Sequence, residues 1–271
     1  MYQEPVASIA HPIDISDPDG VAFAHALRLA VEFRCRLNLL HVRPPESGDS
    51  GDVFPRVRQT LIRWGMLPPD AEPADIEARL GVAVRKIAIR RYDPAQGVAE
   101  FLIKHQPDLI VMATHGRQGL DSWLSGSVSA EIARKTQLPA LFFGPKAKPF
   151  VDMATGRLLL NNVAVPVADH PSPLRALDVL RRLTGKLGVS EHLVHAGNSP
   201  IRISDTSGAP LKVSTMTGPV VDTILAAAET FGADLIAMPT AGQNGFLDAL
   251  RGSTTEQVVR KAQLPLLALP A

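Results

Sequence analysis

Apolar residues along this chain fall into two patterns that take turns. Short continuous runs, Val6 to Ile13, Leu37 to Val42, Val82 to Ile89, Leu109 to Ala113 and Pro139 to Phe143, predict buried strands. Between them apolar positions recur at helical spacing, as in Val21, Ala24, Leu27 and Val31 after the start signal Asp19-Gly20. Helices are also predicted around Val53 to Trp64, over Ala95 to His105 and over Ser127 to Lys135, while Pro68, Pro69 and Pro73 read as an irregular exit. The second half follows the same order. It predicts strand Val163 to Val167, helix Leu174 to Leu183, strands His192 to His195 and Lys212 to Met216, and helix Val220 to Phe231. Strand Leu235 to Met238, a helix opened by Gly252-Ser253 and strand Leu264 to Leu269 close it. Only Asn198 to Pro210 separates the second and third strands of this copy, too little for a full helix plus loops. Apolar strands alternating with amphipathic helices predict an α/β fold whose mostly parallel sheet is covered on both faces.

The duplication is literal in one stretch. Asp108 to Pro139 recurs as Asp234 to Pro265, offset by 126 residues, with 15 identities over 32 positions and no gap. One structural unit is therefore used twice. Between the copies, GPKAKPFVDMATGRLLLNN places Val151-Asp152 and Thr155-Gly156 around Met153-Ala154, which predicts a small hairpin.

Each repeated stretch holds an apolar strand, a glycine turn, and a Gly-Ser that opens a helix. Gly116 follows a strand, where a residue without Cβ lets a ligand approach the backbone. Gly126-Ser127 precedes a helix whose first N–H groups lack intrahelical partners and, with the helix dipole, favour an anion. The same glycines would also serve tight turns and caps, and Ser253-Thr254-Thr255-Glu256 has the form of a capping box. No G-x4-G-K-[ST] and no G-x-G-x-x-G is present, so P-loop and dinucleotide-type sites are not supported.

Charge narrows the partners. Lys plus Arg number 28 against 27 for Asp plus Glu, leaving a net charge of +1. That balance gives no reason to expect nucleic acid or an anionic membrane. No apolar stretch approaches the roughly 20 residues of a membrane span, and MYQEPVASIAHP lacks the basic-then-apolar layout of a signal peptide. A cytoplasmic location is expected. The single cysteine, Cys35, fits a reducing compartment and reads as a small buried hydrophobe. His11, His41 and His115 lie near predicted strand ends, but their spacing is not a ligand motif and strand side chains alternate, so no metal site is expected. His41 and His195 are repeat-equivalent, which suits a shared structural role. No activated nucleophile, carboxylate pair or triad stands out, so no catalytic residue is assigned.

The glycine spacing resembles that of the universal stress protein family, whose nucleotide-binding members carry G-x2-G-x9-G-[ST] after the fourth strand. Here it reads Ala113-Thr114-His115-Gly116, nine residues, then Gly126-Ser127, with alanine at the first glycine. Pro12-Ile13-Asp14 resembles the family's P-V-D at the end of strand one, and Leu39-Leu40-His41-Val42 the end of its second strand. The resemblance covers nearly the whole chain as a tandem pair.

It implies two tandem doubly wound, mainly parallel five-stranded domains, residues 1–148 and 157–271, each with strand order 3-2-1-4-5. They would form an intrachain pseudo-dimer, with Phe142-Phe143 and Leu266 to Leu269 as the apolar contact; a homodimer of chains is left open. It further implies an adenine-nucleotide ligand, ATP or AMP, with or without Mg. The contacts would fall on Pro12, Ile13, Asp14, Val42, Met112, Ala113, His115, Gly116, Gly126, Ser127, Val128 and Ser129, with the Val42 backbone pairing the adenine edge. In the second copy they fall on Pro166, Val167, Ala168, Ala196, Met238, Pro239, Ala241, Gly242, Gly252 and Ser253. Asp14 has become Ala168, Ala113 has become Pro239, and His115 and Arg117 have become Ala241 and Gln243, so the first site has more donors. The expected function is a nucleotide-binding stress-response or regulatory protein with, at most, slow ATP hydrolysis. The alternatives are a partner scaffold that binds no nucleotide, or a metal- or small-ligand-binding protein.

Overall fold

A computed structural model describes residues 4–13, 20–48, 53–114, 128–170, 172–240 and 254–270. The first repeat runs β1 (Ser8–Pro12), α1 (Val21–Phe33), β2 (Arg36–Arg43), α2 (Val57–Arg63), α3 (Pro73–Leu80), β3 (Val84–Arg90), α4 (Pro94–His105), β4 (Leu109–Ala113), α5 (Val128–Thr136) and β5 (Ala140–Phe143). The second runs β6 (Asn162–Pro166), α6 (Leu174–Thr184), β7 (Ser190–Ala196), β8 (Val213–Met216), α7 (Val220–Thr230), β9 (Leu235–Thr240), α8 (Thr254–Lys261) and β10 (Leu266–Pro270). Strand order is β3-β2-β1-β4-β5 in one repeat and β8-β7-β6-β9-β10 in the other, the expected 3-2-1-4-5 twice. Neighbouring strands β1–β2, β1–β4, β2–β3, β6–β7, β6–β9, β7–β8 and β9–β10 are parallel. Residues 197–212, between β7 and β8, hold no helix, as their length predicts.

One element departs from the sequence reading. The segment carrying Pro73, read as irregular, forms α3. Proline is tolerated there because the first helical residue needs no intrahelical N–H. Glu72 and Asp75 complete a capping box, with Glu72 N–H donating to Asp75 Oδ2 at 2.8 Å.

The repeated Asp-Leu-Ile has a structural cause. Asp108 Oδ2 accepts the N–H groups of Ala7 and Ser8 at 2.8 and 3.0 Å, where β1 begins. Asp234 Oδ2 does the same for Asn161 and Asn162 at 2.7 and 3.1 Å, where β6 begins. The carboxylate fixes the start of the central strand against the fourth. The registers match accordingly: Ile9 faces Leu109 in one repeat and Val163 faces Leu235 in the other.

The chain packs as two compact units, Glu4–Ala140 with Val151–Leu158, and Leu141–Phe150 with Leu159–Ala271. The predicted hairpin is present, closed by an antiparallel bridge between Val151 and Leu158. In the first unit α1 packs over β1, β2 and β4, and α4 packs on α5 and over β2 and β3. Within α1, His25 is fully buried and satisfied at both ring nitrogens. Its Nδ1–H donates to Val21 O at 2.7 Å, and Nε2 accepts the Val151 N–H at 3.1 Å. Burial pushes its pKa down to about 3, with the bond to Val21 acting in the opposite direction.

Two outcomes are expected. Asp108→Ala, which removes two charge-assisted hydrogen bonds at the partly exposed start of β1, costs about 1–3 kcal/mol in denaturant titration, and Asp234→Ala a similar amount. For His25, the depressed native pKa means the unfolded chain binds the extra proton first as acid is added. Its contribution to stability is thus complete above pH 6.5 and is lost progressively down to about pH 3, with a slope of at most about 1.4 kcal/mol per pH unit. Unfolding curves across that range show whether His25→Gln flattens the slope.

Candidate functional site

Carboxyl ends of parallel strands are where doubly wound sheets hold ligands, at the point where strand order reverses. In the first repeat that point lies beside β1, which runs between β2 and β4. The hydrogen-bond ladder assigns each backbone group a side. Leu37 N–H donates to Ala83 O and Arg91 N–H to Arg43 O, so odd residues of β2 face β3. Ile13 N–H donates to Leu40 O at 2.9 Å, so even residues face β1. Pro12 is level with Leu40, and β1 ends there, whereas β2 continues to Arg43. Val42 therefore directs both its N–H and its C=O past the end of β1. Across the gap lies the end of β4, at Met112 and Ala113. Two strand spacings separate β2 from β4, about 10 Å, enough for a flat ring.

The structure thus brings together Pro12, Ile13, Val42, Met112 and Ala113 around one gap. Met112 is buried, while Pro12, Ile13, Val42 and Ala113 are half-buried. Val128 and Ser129 open α5; Val128 is 45% exposed, whereas Ser129 is buried and would offer its backbone rather than its hydroxyl. Asp14, His115, Gly116, Gly126 and Ser127 lie outside the described residues, as do Gly242, Gly252 and Ser253 of the second repeat.

Electrostatics around the gap are set by burial. His41, beside Val42, presents its ring edge-on to Phe54 at 6.3 Å. Burial, then the Arg43 charge, lowers its pKa, which favours the neutral imidazole. Lys86 Nζ lies 5.5 Å over the same Phe54 ring. His11 Nδ1–H donates to Val111 O at 2.8 Å. Cys35 is buried, and its pKa is pushed up to about 12 by desolvation and then by Asp108, so it is no nucleophile. Among the described residues no three of His, Cys, Asp or Glu gather as metal ligands, and no helix is long and apolar enough to cross a membrane. The Phe54 contact escaped sequence reading, because nothing in its local pattern points to β2.

The second repeat has the same gap with different walls. Val167 N–H donates to Val194 O at 2.8 Å, β6 ends at Pro166, and β7 continues to Ala196, which takes the Val42 orientation. Opposite it stands Pro239. Ile236 N–H donates to Pro265 O, so odd residues of β9, Pro239 among them, turn their nitrogens toward β6. A proline fits there only because the ladder does not need that N–H. By equivalence, the donor that Ala113 keeps is also not required by the ladder. The equivalent histidines differ as well. His195 Nδ1–H donates to Val167 O at 3.1 Å and leaves no room for a side chain at Gly197, whereas His41 packs on Phe54. The two histidines share a position, not a set of contacts.

Comparison with known proteins agrees with this architecture. A sequence model of the universal stress protein family matches residues 7–143 and 202–270. A universal stress protein of Methanocaldococcus jannaschii is 26% identical over 151 residues, spanning 49% of this chain and 79% of that protein. Among solved structures, a universal stress protein from Archaeoglobus fulgidus superposes with a TM-score of 0.64 at 20% identity, covering 97% of this chain and 96% of its own. A functionally unknown protein from Pseudomonas aeruginosa PAO1 gives 0.61 at 15% identity, covering 98% and 92%.

Proposed function

The chain belongs to the universal stress protein family, and on that premise we propose that it binds an adenine nucleotide, ATP or AMP, chiefly in its first repeat. The observation that carries this reading is the orientation of Val42. Its backbone N–H and C=O face the gap beyond β1 as an adjacent donor and acceptor. Adenine offers the complement along one edge, the N1 acceptor beside the N6 donor. Recognition of this kind asks nothing of the side chain and rejects a base with the opposite pattern.

The phosphates would then run along the gap toward the first turn of α5. The dipole of that helix favours negative charge at its amino end, and Gly126-Ser127 is the proposed point of approach. His115 and Arg117 would add charge-assisted bonds, and Mg, if present, would sit on the phosphates. No residue is assigned to chemistry, and hydrolysis would be slow. The protein would then act as a cytoplasmic stress-response or regulatory protein whose state reports nucleotide. In the second repeat, Pro239 offers no donor and Ala241 and Gln243 replace the charged pair, so nucleotide binding there is weak or absent. The competing reading, a scaffold without nucleotide, draws on Ala113 standing at the family's first glycine.

Chromatography of small molecules released by heating the purified chain is expected to show adenine nucleotide at one equivalent per chain; none after incubation with ATP or AMP favours the scaffold. In calorimetry, Val42→Pro removes the donor facing the gap and weakens binding about 3- to 10-fold, the worth of one net hydrogen bond. Gly126→Val is expected to weaken it far more, by filling the space where phosphate meets the helix. Affinity unchanged in both variants would remove these residues from the site.

A further inference from the structure

The connection between the repeats is short and polar enough to serve as a plain linker, whose backbone would face water. The structure gives it another role. Its hairpin, Val151–Leu158, is internally braced, with Asp152 Oδ1 accepting the N–H groups of Ala154 and Thr155 at 3.0 and 2.8 Å. Asp152 N–H donates to Arg157 O at 2.9 Å, and Gly156 N–H donates to Asp152 O at 2.8 Å.

Three side chains of the first repeat then meet the hairpin's backbone one group at a time. His25 Nε2, from α1, accepts the Val151 N–H at 3.1 Å. Arg28 Nε–H, one turn further along α1, donates to Gly156 O at 2.8 Å while its guanidinium pairs with Glu32 at 2.8 Å. Trp64, the cap of α2, donates its Nε1–H to Met153 O at 3.2 Å. Gly156 lies directly on the indole: a Cβ there would sit 2.5 Å from Trp64 Cδ2, and its φ of +69° is one that side chains rarely adopt. The seat is largely closed to water, with Trp64, His25, Val151 and Gly156 all buried.

We propose that Val151–Leu158 is a strap that completes the first unit, read through its backbone by His25, Arg28 and Trp64, and that Gly156 is the residue that lets it close. A sequence-neutral linker needs none of these four residues. The strap ties α1 to Trp64 at the end of α2.

The test uses the full chain. Its two tryptophans are Trp64 and Trp123, so Trp123→Phe leaves Trp64 as the sole reporter. In that background Gly156→Val is expected to red-shift Trp64 emission, raise its acrylamide quenching severalfold, and speed exchange of the Val151 amide at least about tenfold. Gly208→Val imposes a comparable backbone strain, φ +87°, in open space, and is expected to change none of these readouts. Unchanged Trp64 quenching and Val151 exchange in Gly156→Val would overturn the strap. Should that variant fail to fold, the parent chain decides: protection of the Val151 amide like that of the strands supports the proposal, and exchange at an open-coil rate rejects it.

Discussion

In each repeat the central strand ends in a proline, and much else depends on it. Asp108 N–H donates to Ser8 O, so even residues of β1 face β4 and the nitrogen of Pro12 points that way with no hydrogen to give. The ladder loses its donor at that point, and β1 stops while β2 and β4 run on. Pro166 ends β6 in the same manner between β7 and β9. In the first repeat that missing donor lies at the carboxyl edge of the sheet, where β2 and β4 extend beyond the last residue of β1.

What lines the gap is then a separate matter, and the repeats have diverged there while keeping the frame. The frame is held by carboxylates that do not face the gap: Asp108 and Asp234 clamp the opposite, amino-terminal ends of the central strands. A change at the carboxyl end therefore costs the scaffold little. Pro239 replaces a residue with an N–H, and His195 folds onto Val167 O where its counterpart His41 meets Phe54. The second divergence traces to chain length. The first repeat has room between β2 and β3 for two helices and the segment carrying Phe54, whereas residues 197–212 form only a turn bridged at Ser204 and Pro210 and braced by Asp205.

Buried polar groups show a consistent logic in the first unit. His25 and Trp64 each bring a polar atom into an apolar setting, and each atom is matched to a backbone group of the hairpin. The desolvation that holds His25 neutral is what makes its Nε2 an acceptor, so the hairpin contact and the low pKa have one cause. An unmatched nitrogen there would cost more than the bond contributes.

Much of this was legible in the sequence, because the signals are local. Continuous apolar runs mark strands that are buried on both faces, and Ile9, Val111 and Ile236 are indeed inaccessible to solvent. The gapless repeat from Asp108 and Asp234 carried the duplication of strand order, since identical spacing demands identical register. Proline misled at Pro73, where helix start and chain exit use the same residue and only the capping partners Glu72 and Asp75 separate them. The sequence by itself determined the strands, the twofold use of one unit, and which residues stand at strand ends. Which way a backbone group points was decided only by the tertiary structure, because Val42 acquires a side only when β1 and β3 pair with its strand. The seat of the hairpin was decided there too: His25 and Val151 are 126 residues apart, and no local pattern joins a mid-helix histidine to a linker amide.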